Sequence, residues 1–169
     1  MAKQETSPTE AAKRIMSGEE VGAVLGVSDA QLKAIVALGY NKYQQGRLAD
    51  AETMFRGVAA LDSKSYFGHA GLGAVALAKK PPDLETAFSS LSKAVELKPD
   101  DATIQANLGE VLLRQGKIEQ AKSHLEKAFQ LDPGHKEASV NRARAIVGGL
   151  DMVVKEAERR QEQLQAKAS

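Results

Sequence analysis

Three histidines are the side chains here with the widest chemical reach, because an imidazole can move a proton near neutral pH or ligate a metal. They stand at His69, His124 and His135. They share no ligand-like spacing, and the sequence holds no cysteine, so neither a thiolate metal site nor a disulfide can form. Each is read as a solvated or packing residue, and no metal is expected. Gly71-Leu72-Gly73 carries part of the glycine pattern that cradles a dinucleotide, but no strand precedes it. Lys79-Lys80 is too short a basic run to mark a nucleic-acid face. The charges balance, with 23 Lys+Arg against 22 Asp+Glu and a net charge of +1. That balance gives no general attraction to nucleic acid or to an anionic membrane. With no catalytic constellation and no cofactor site, the chain reads as a binding protein, not an enzyme. The informative chemistry is apolar. Five of the seven aromatic residues, Tyr40, Tyr43, Phe55, Tyr66 and Phe67, fall within 28 positions of one another.

The elements that place these rings can be read from the stretch Ala102 to Pro133. It contains Leu108-Gly109, Leu112, Gly116, Ala121, Leu125, Ala128 and Pro133. This is the grammar of a tetratricopeptide repeat, a helix–turn–helix unit of about 34 residues. Gly109 and Ala121 let two helices cross closely. Gly116 ends the first helix, and Pro133 stops the second from running on. One such unit cannot bury its apolar face, so it requires neighbours. They are present. Leu38-Gly39, Ala51, Phe55 and Val58 mark one copy, and Leu72-Gly73, Ala87, Leu91, Ala94 and Pro99 another. Leu38 to Leu72 is 34 positions and Leu72 to Leu108 is 36, whereas Ala51 to Ala87 is 36 and Ala87 to Ala121 is 34. The two extra residues therefore lie between the helices of the middle repeat, where Lys79-Lys80-Pro81-Pro82-Asp83 makes a turn and Asp83 caps the next helix.

The fold class is thus all-α, a tetratricopeptide-repeat superhelix of three helix–turn–helix repeats. Residues 1–27 form an N-terminal helical arm, 28–134 the repeats (28–65, 66–99 and 100–134), and 135–169 a C-terminal capping helix and tail. Met1 to Thr6 is polar and expected to lack regular structure. Ser7-Pro8-Thr9-Glu10 and Ser28-Asp29-Ala30-Gln31 read as capping boxes. Val140, Ala143, Val147, Leu150, Val154 and Ala157 alternate at three and four, the seam of a capping helix. Gly148-Gly149 is expected to bend or interrupt it, and the polar run Lys155 to Lys167 to fray.

In stacked helical pairs the first helices line the concave face. By register that face takes Lys33, Val36, Tyr40, Tyr43 and Gln44 from the first repeat. The second contributes Phe67, Ala70, Ala74, Leu77 and Ala78, and the third Thr103, Ala106, Glu110, Leu113 and Arg114. The first two rows make an apolar floor with small residues between aromatic walls, suited to an extended peptide whose Leu or Pro side chains enter the gaps. The alternative is that Tyr40 and Tyr43 pack against the N-terminal helices. Ile15, Met16, Val21, Val24 and Leu25 exceed what a short helix can hide, which points either to self-association or to folding back on the first repeat. The start MAKQETSPTE has no apolar h-region and no run approaches the ~20 residues of a membrane span, so no signal peptide and no membrane insertion are expected.

From Ser17 to Ala74 the chain resembles the class II chaperones of bacterial type III secretion, which hold translocator proteins. The likeness lies in the small-residue turn and apolar cluster before Val27-Ser28-Asp29, then Gly39-Tyr40-Asn41-Lys42-Tyr43-Gln44-Gln45-Gly46, Leu61-Asp62 and Gly71-Leu72-Gly73-Ala74. The resemblance implies a bacterial cytoplasmic chaperone that keeps a hydrophobic translocator client soluble before secretion. It further implies a groove that takes a Pro/Leu-containing client segment at Tyr40, Tyr43, Phe67 and Leu77, and a homodimer formed through the Ile15 to Leu25 region. The second reading is a generic tetratricopeptide-repeat adaptor or scaffold in another bacterial assembly. A carboxylate-clamp repeat is disfavoured because Tyr40 stands where that type uses Asn.

Overall fold

A computed structural model describes residues 7–168; Met1 to Thr6, expected above to lack regular structure, lie outside the described residues. Among those described there are nine helices and no strand. The arm supplies α1 (Pro8–Met16) and α2 (Val21–Val24). Three helical pairs follow: α3 (Asp29–Gln44) with α4 (Leu48–Leu61), α5 (Tyr66–Ala78) with α6 (Leu84–Leu97), and α7 (Ala102–Arg114) with α8 (Ile118–Leu131). The last helix is α9 (Ala138–Ala168). The chain divides into two compact units between Asp100 and Asp101, the first holding α1 to α6 and the second α7 to α9.

Local chemistry sets the helix ends. Ser28 closes a full capping box with Gln31, and Ser7 accepts from the Glu10 amide. Asp83 and Asp101 cap α6 and α7 by accepting from the Thr86 and Ile104 amides, each at 3.0 Å. The turns after α3 and α7 are three residues long and place Gly46 and Gly116 at φ +72° and +73°, where a side chain would be strained. Between α5 and α6 the turn is five residues, Lys79 to Asp83, so the two-residue insertion sits where the register arithmetic puts it.

In the first unit the fully buried Phe55 is central, packed with Ala51 and Val75 and flanked by Tyr40, Tyr43, Leu48 and Leu72. Phe55 fits because Gly39 and Gly71 have no side chain to meet it; a Cβ on Gly71 would come within 2.3 Å of the ring. Gly73 makes the same allowance for Leu91. The second unit buries Ala106, Leu125, Ala128, Val140 and Ala143 together, so α9 closes this core over α7 and α8. Here Gly109 admits Leu125.

The arm folds back on its own first repeat. α2 packs on α4, with Gly22 so close to the Leu61 carbonyl that a Cβ would stand 2.8 Å from the oxygen. Glu20 accepts from the Ser63 amide at 2.8 Å and from the Ser63 hydroxyl at 2.9 Å, which ties the arm to the α4–α5 turn. These bonds hold the Glu20 carboxyl below its ordinary range, against the opposing effect of burial.

The expectation for α9 requires correction. The helix runs unbroken through Gly148-Gly149 and does not stop at the polar run, which stays helical to Ala168. Neither glycine has a neighbour within 4 Å of where a Cβ would be, so nothing there forces a bend. Farther on, Glu156 pairs with Arg159 and Arg160 across one turn, which supports the helix in its polar half.

Candidate peptide-binding face

In the first unit α3 and α5 lie side by side, and each is backed by its partner helix. Tyr40 rests edge-on against Phe55, with centroids 5.0 Å apart and planes at 71°. Both Tyr40 and Tyr43 are half-buried against this core, so the rings are braced by their own repeat. Gln44 is exposed, while Phe67, Ala74 and Leu77 are half-buried. Val36 and Ala70 are buried, each with 8% exposure, and offer a ligand little surface.

Two clefts flank this face. One, of about 280 Å³, lies at the N-terminal ends of α3 and α5 between Leu32, Lys33, Val36, Tyr66 and Phe67. The other, of about 620 Å³, lies at their C-terminal ends between Tyr43, Gln44, Leu48, Ala78 and Lys80. Tyr66 stacks on Phe67 at 4.0 Å between centroids, and the Lys98 ammonium sits 6.0 Å from the Tyr66 ring. Tyr66 and Leu32 were missed by repeat register, which tracks helix faces and carries no signal for a ring stack or a cleft at helix ends. At the far end Lys79 pairs with Glu52 at 2.9 Å. The Glu52 carboxyl is held below its ordinary range chiefly by that hydrogen bond, with Arg56 adding to it.

In the second unit the corresponding positions behave differently. Ala106 is buried under α9 beside Val140 and Ala143, and Leu113 is partly buried against the same cluster. Glu110, at the register of Tyr40, is buried and charge-paired. It accepts from Arg114 Nε at 3.1 Å and Nη2 at 2.8 Å, and from Arg142 Nε at 2.8 Å. Arg142 Nη2 also donates to Asn107 at 3.0 Å. Arg142 lies on α9, outside every repeat, so no repeat alignment could flag it. His124 lies in this unit with Nδ1 2.7 Å from Gln105 Oε1. Burial, and secondarily Lys127, lower its pKa. Among the described residues no group of three His, Cys, Asp or Glu could hold a metal ion. No helix among them is long and apolar enough to cross a membrane.

In the arm, Val24 is buried, Val21 is half-buried, and Ile15, Met16 and Leu25 are exposed.

Paired helices with close glycine crossings and an aromatic face define a tetratricopeptide-repeat protein. Family models described as TPR repeat and Tetratricopeptide repeat match residues 83–116 and 102–135. DnaJ homolog subfamily C member 3 of Bos taurus is 30% identical over 116 residues, 69% of this chain, and the chain spans only 22% of that protein's length. The low calcium response locus protein H of Yersinia pseudotuberculosis serotype I is 30% identical over 133 residues, covering 76% of this chain and 78% of the relative. PcrH, solved with the chaperone binding region of PopB, is 29% identical with a TM-score of 0.60, covering 71% of this chain and 97% of PcrH. PcrH alone, from Pseudomonas aeruginosa, gives 27% and 0.61, covering 73% and 94%. The chain belongs to the family of low calcium response locus protein H, the tetratricopeptide-repeat translocator chaperones of type III secretion.

Proposed function

We propose that this protein is a cytoplasmic bacterial chaperone, without enzymatic activity, that holds a hydrophobic translocator by an extended segment laid on the inner face of α3 and α5. The observation that carries the reading is the row Tyr40, Tyr43, Phe67 and Leu77, half-buried on one face with a cleft at either end. Braced aromatic rings lose little entropy on binding and give such a face its anchors. The relative PcrH, solved with the chaperone binding regions of PopB and PopD, supports a peptide segment as the ligand. Tyr43 is the better probe because Tyr40 also holds Phe55. The test is titration of the PopB chaperone-binding region into the full chain. Tyr43→Ala should cost roughly 1–3 kcal/mol of affinity and leave the helical signal intact. Equal affinity of wild type and Tyr43→Ala, or no binding to wild type, would reject the face.

Ile15, Met16 and Leu25 remain exposed although the arm is docked, and they supply the apolar surface for a homodimer. Light scattering should report a dimer for the full chain at concentrations well above micromolar and a monomer after deletion of residues 1–26. A monomeric full chain would reject this surface.

A further inference from the structure

The polar cluster of the second unit has more positive charge than its fold consumes. Glu110, only 5% exposed at its side chain, is the one carboxylate between two guanidiniums, so one positive charge is left over. Glu137, the residue before α9, accepts from the Thr103 hydroxyl at 3.0 Å. Arg114 and Arg142 keep 45% and 48% of their side chains exposed although they converge on one buried group. A guanidinium carries five N–H donors in a planar fork. Arg114 uses Nε and Nη2 on Glu110, and Arg142 uses Nε on Glu110 and Nη2 on Asn107. The Nη1 group of each is not used by these bonds. Two oriented cations with donors to spare form a receptor for a planar anion.

We propose that Arg114 and Arg142, positioned by Glu110 and Asn107, bind a side-chain carboxylate of the client protein. This rests on the peptide-binding reading above and gives it an electrostatic site where that reading has only apolar ones. A client would then be chosen in part by an Asp or Glu that the two guanidiniums can take.

The test uses the full chain and labelled synthetic peptides with Pro and Leu anchors in a Gly/Ser background. One Glu is scanned through successive positions, each peptide having a Gln counterpart, and both free-acid and amidated C-termini are made. For at least one position of the Glu, the peptide should bind about tenfold tighter than its Gln twin. High salt should shrink that advantage, and Arg142→Gln and Arg114→Gln should each remove it while leaving the Gln peptide's affinity unchanged. Arg142→Lys, which keeps the charge but not the fork, should retain part. If Arg142→Gln lowers the melting temperature, Arg114→Gln, whose pairing with Glu110 lies within α7, decides the question. Equal binding of Glu and Gln peptides at every register overturns the site and leaves the apolar face standing. A preference that follows the free C-terminus overturns the side-chain assignment. Failure of every peptide to bind wild type overturns both readings.

Discussion

Replacing Gly71 by Ala adds one methyl group at the glycine whose Cβ position is most crowded among the described residues. On the native backbone the new Cβ would stand 2.3 Å from both Cγ and Cδ1 of Phe55 and 2.5 Å from Cε1. Ordinary contact begins at 3.4 Å, so the shortfall is about 1.1 Å. Phe55 cannot yield easily. It is fully buried, Gly39 lies against its Cε1–Cζ edge, and Tyr40 meets it edge-on. Helix α5 must therefore shift by about an ångström, or the ring must leave its rotamer. Overpacking of this kind costs about 1–3 kcal/mol, and the upper end applies because three atoms of a rigid ring are struck. Ala gains about 1 kcal/mol over Gly in a helix interior, which leaves a net loss of about 2 kcal/mol. For a chain of this size that lowers the melting temperature by about 4–8 °C. Gly57→Ala is the matched control, since Gly57 is also helical but has nothing within 4 Å of its Cβ position. It should keep the propensity gain and melt higher. Thermal unfolding followed by circular dichroism reads both. If Gly71→Ala melts with or above wild type while Gly57→Ala behaves as stated, α5 is not pressed on Phe55 and the packing argument fails.

Three further outcomes follow from the same geometry. Glu110→Ala leaves two half-exposed arginines without their shared partner and should destabilise by about 1–3 kcal/mol, more than Arg114→Ala, which removes an exposed cation; chemical denaturation reads the difference. Glu20→Ala should release the arm from the α4–α5 turn, seen as faster proteolysis between Met16 and Ser28 with the repeats intact; unchanged cleavage would mean Gly22 and Val24 hold the arm without the carboxylate. The His124 pKa is lowered in the fold, so the folded state resists a proton that the unfolded chain accepts. That contribution is full above the ordinary value of 6.5 and is lost as pH falls through the depressed value, so His124→Gln should flatten the melting temperature over that interval.

Much of the fold was legible because small residues at fixed spacing have one physical use. Gly39, Gly73 and Gly109 announce close crossings, and the shift of two between the 34- and 36-residue intervals places the long turn without reference to helices at all. The face was legible only in part. Register puts Val36, Ala70 and Ala106 on the inner side of their helices, but they are buried there, because register does not say which neighbour covers a residue. Glu110 reads as a groove carboxylate until Arg142 is seen, and α9 belongs to no repeat that could be aligned. Gly148-Gly149 reads as a break because glycine is a poor helix former, yet α9 continues through it. The arm's choice between docking and exposure turned on Glu20 and Gly22, which meet Ser63 and Leu61 some forty residues on, beyond any local pattern.

That glycine pair gives α9 two lives. The helix spans 31 residues, about 46 Å, but its buried anchors, Val140 and Ala143, lie in the first two turns. Beyond the glycines Leu150, Met152, Val153 and Val154 are between 48% and 74% exposed. Each glycine costs about 1 kcal/mol relative to alanine, and little burial offsets it. The distal half should therefore open and reclose as its own cooperative segment while the anchored half stays shut. Amide exchange would then drop in protection sharply at Gly148, and the reach of α9 would be set by how many distal turns are wound at any moment.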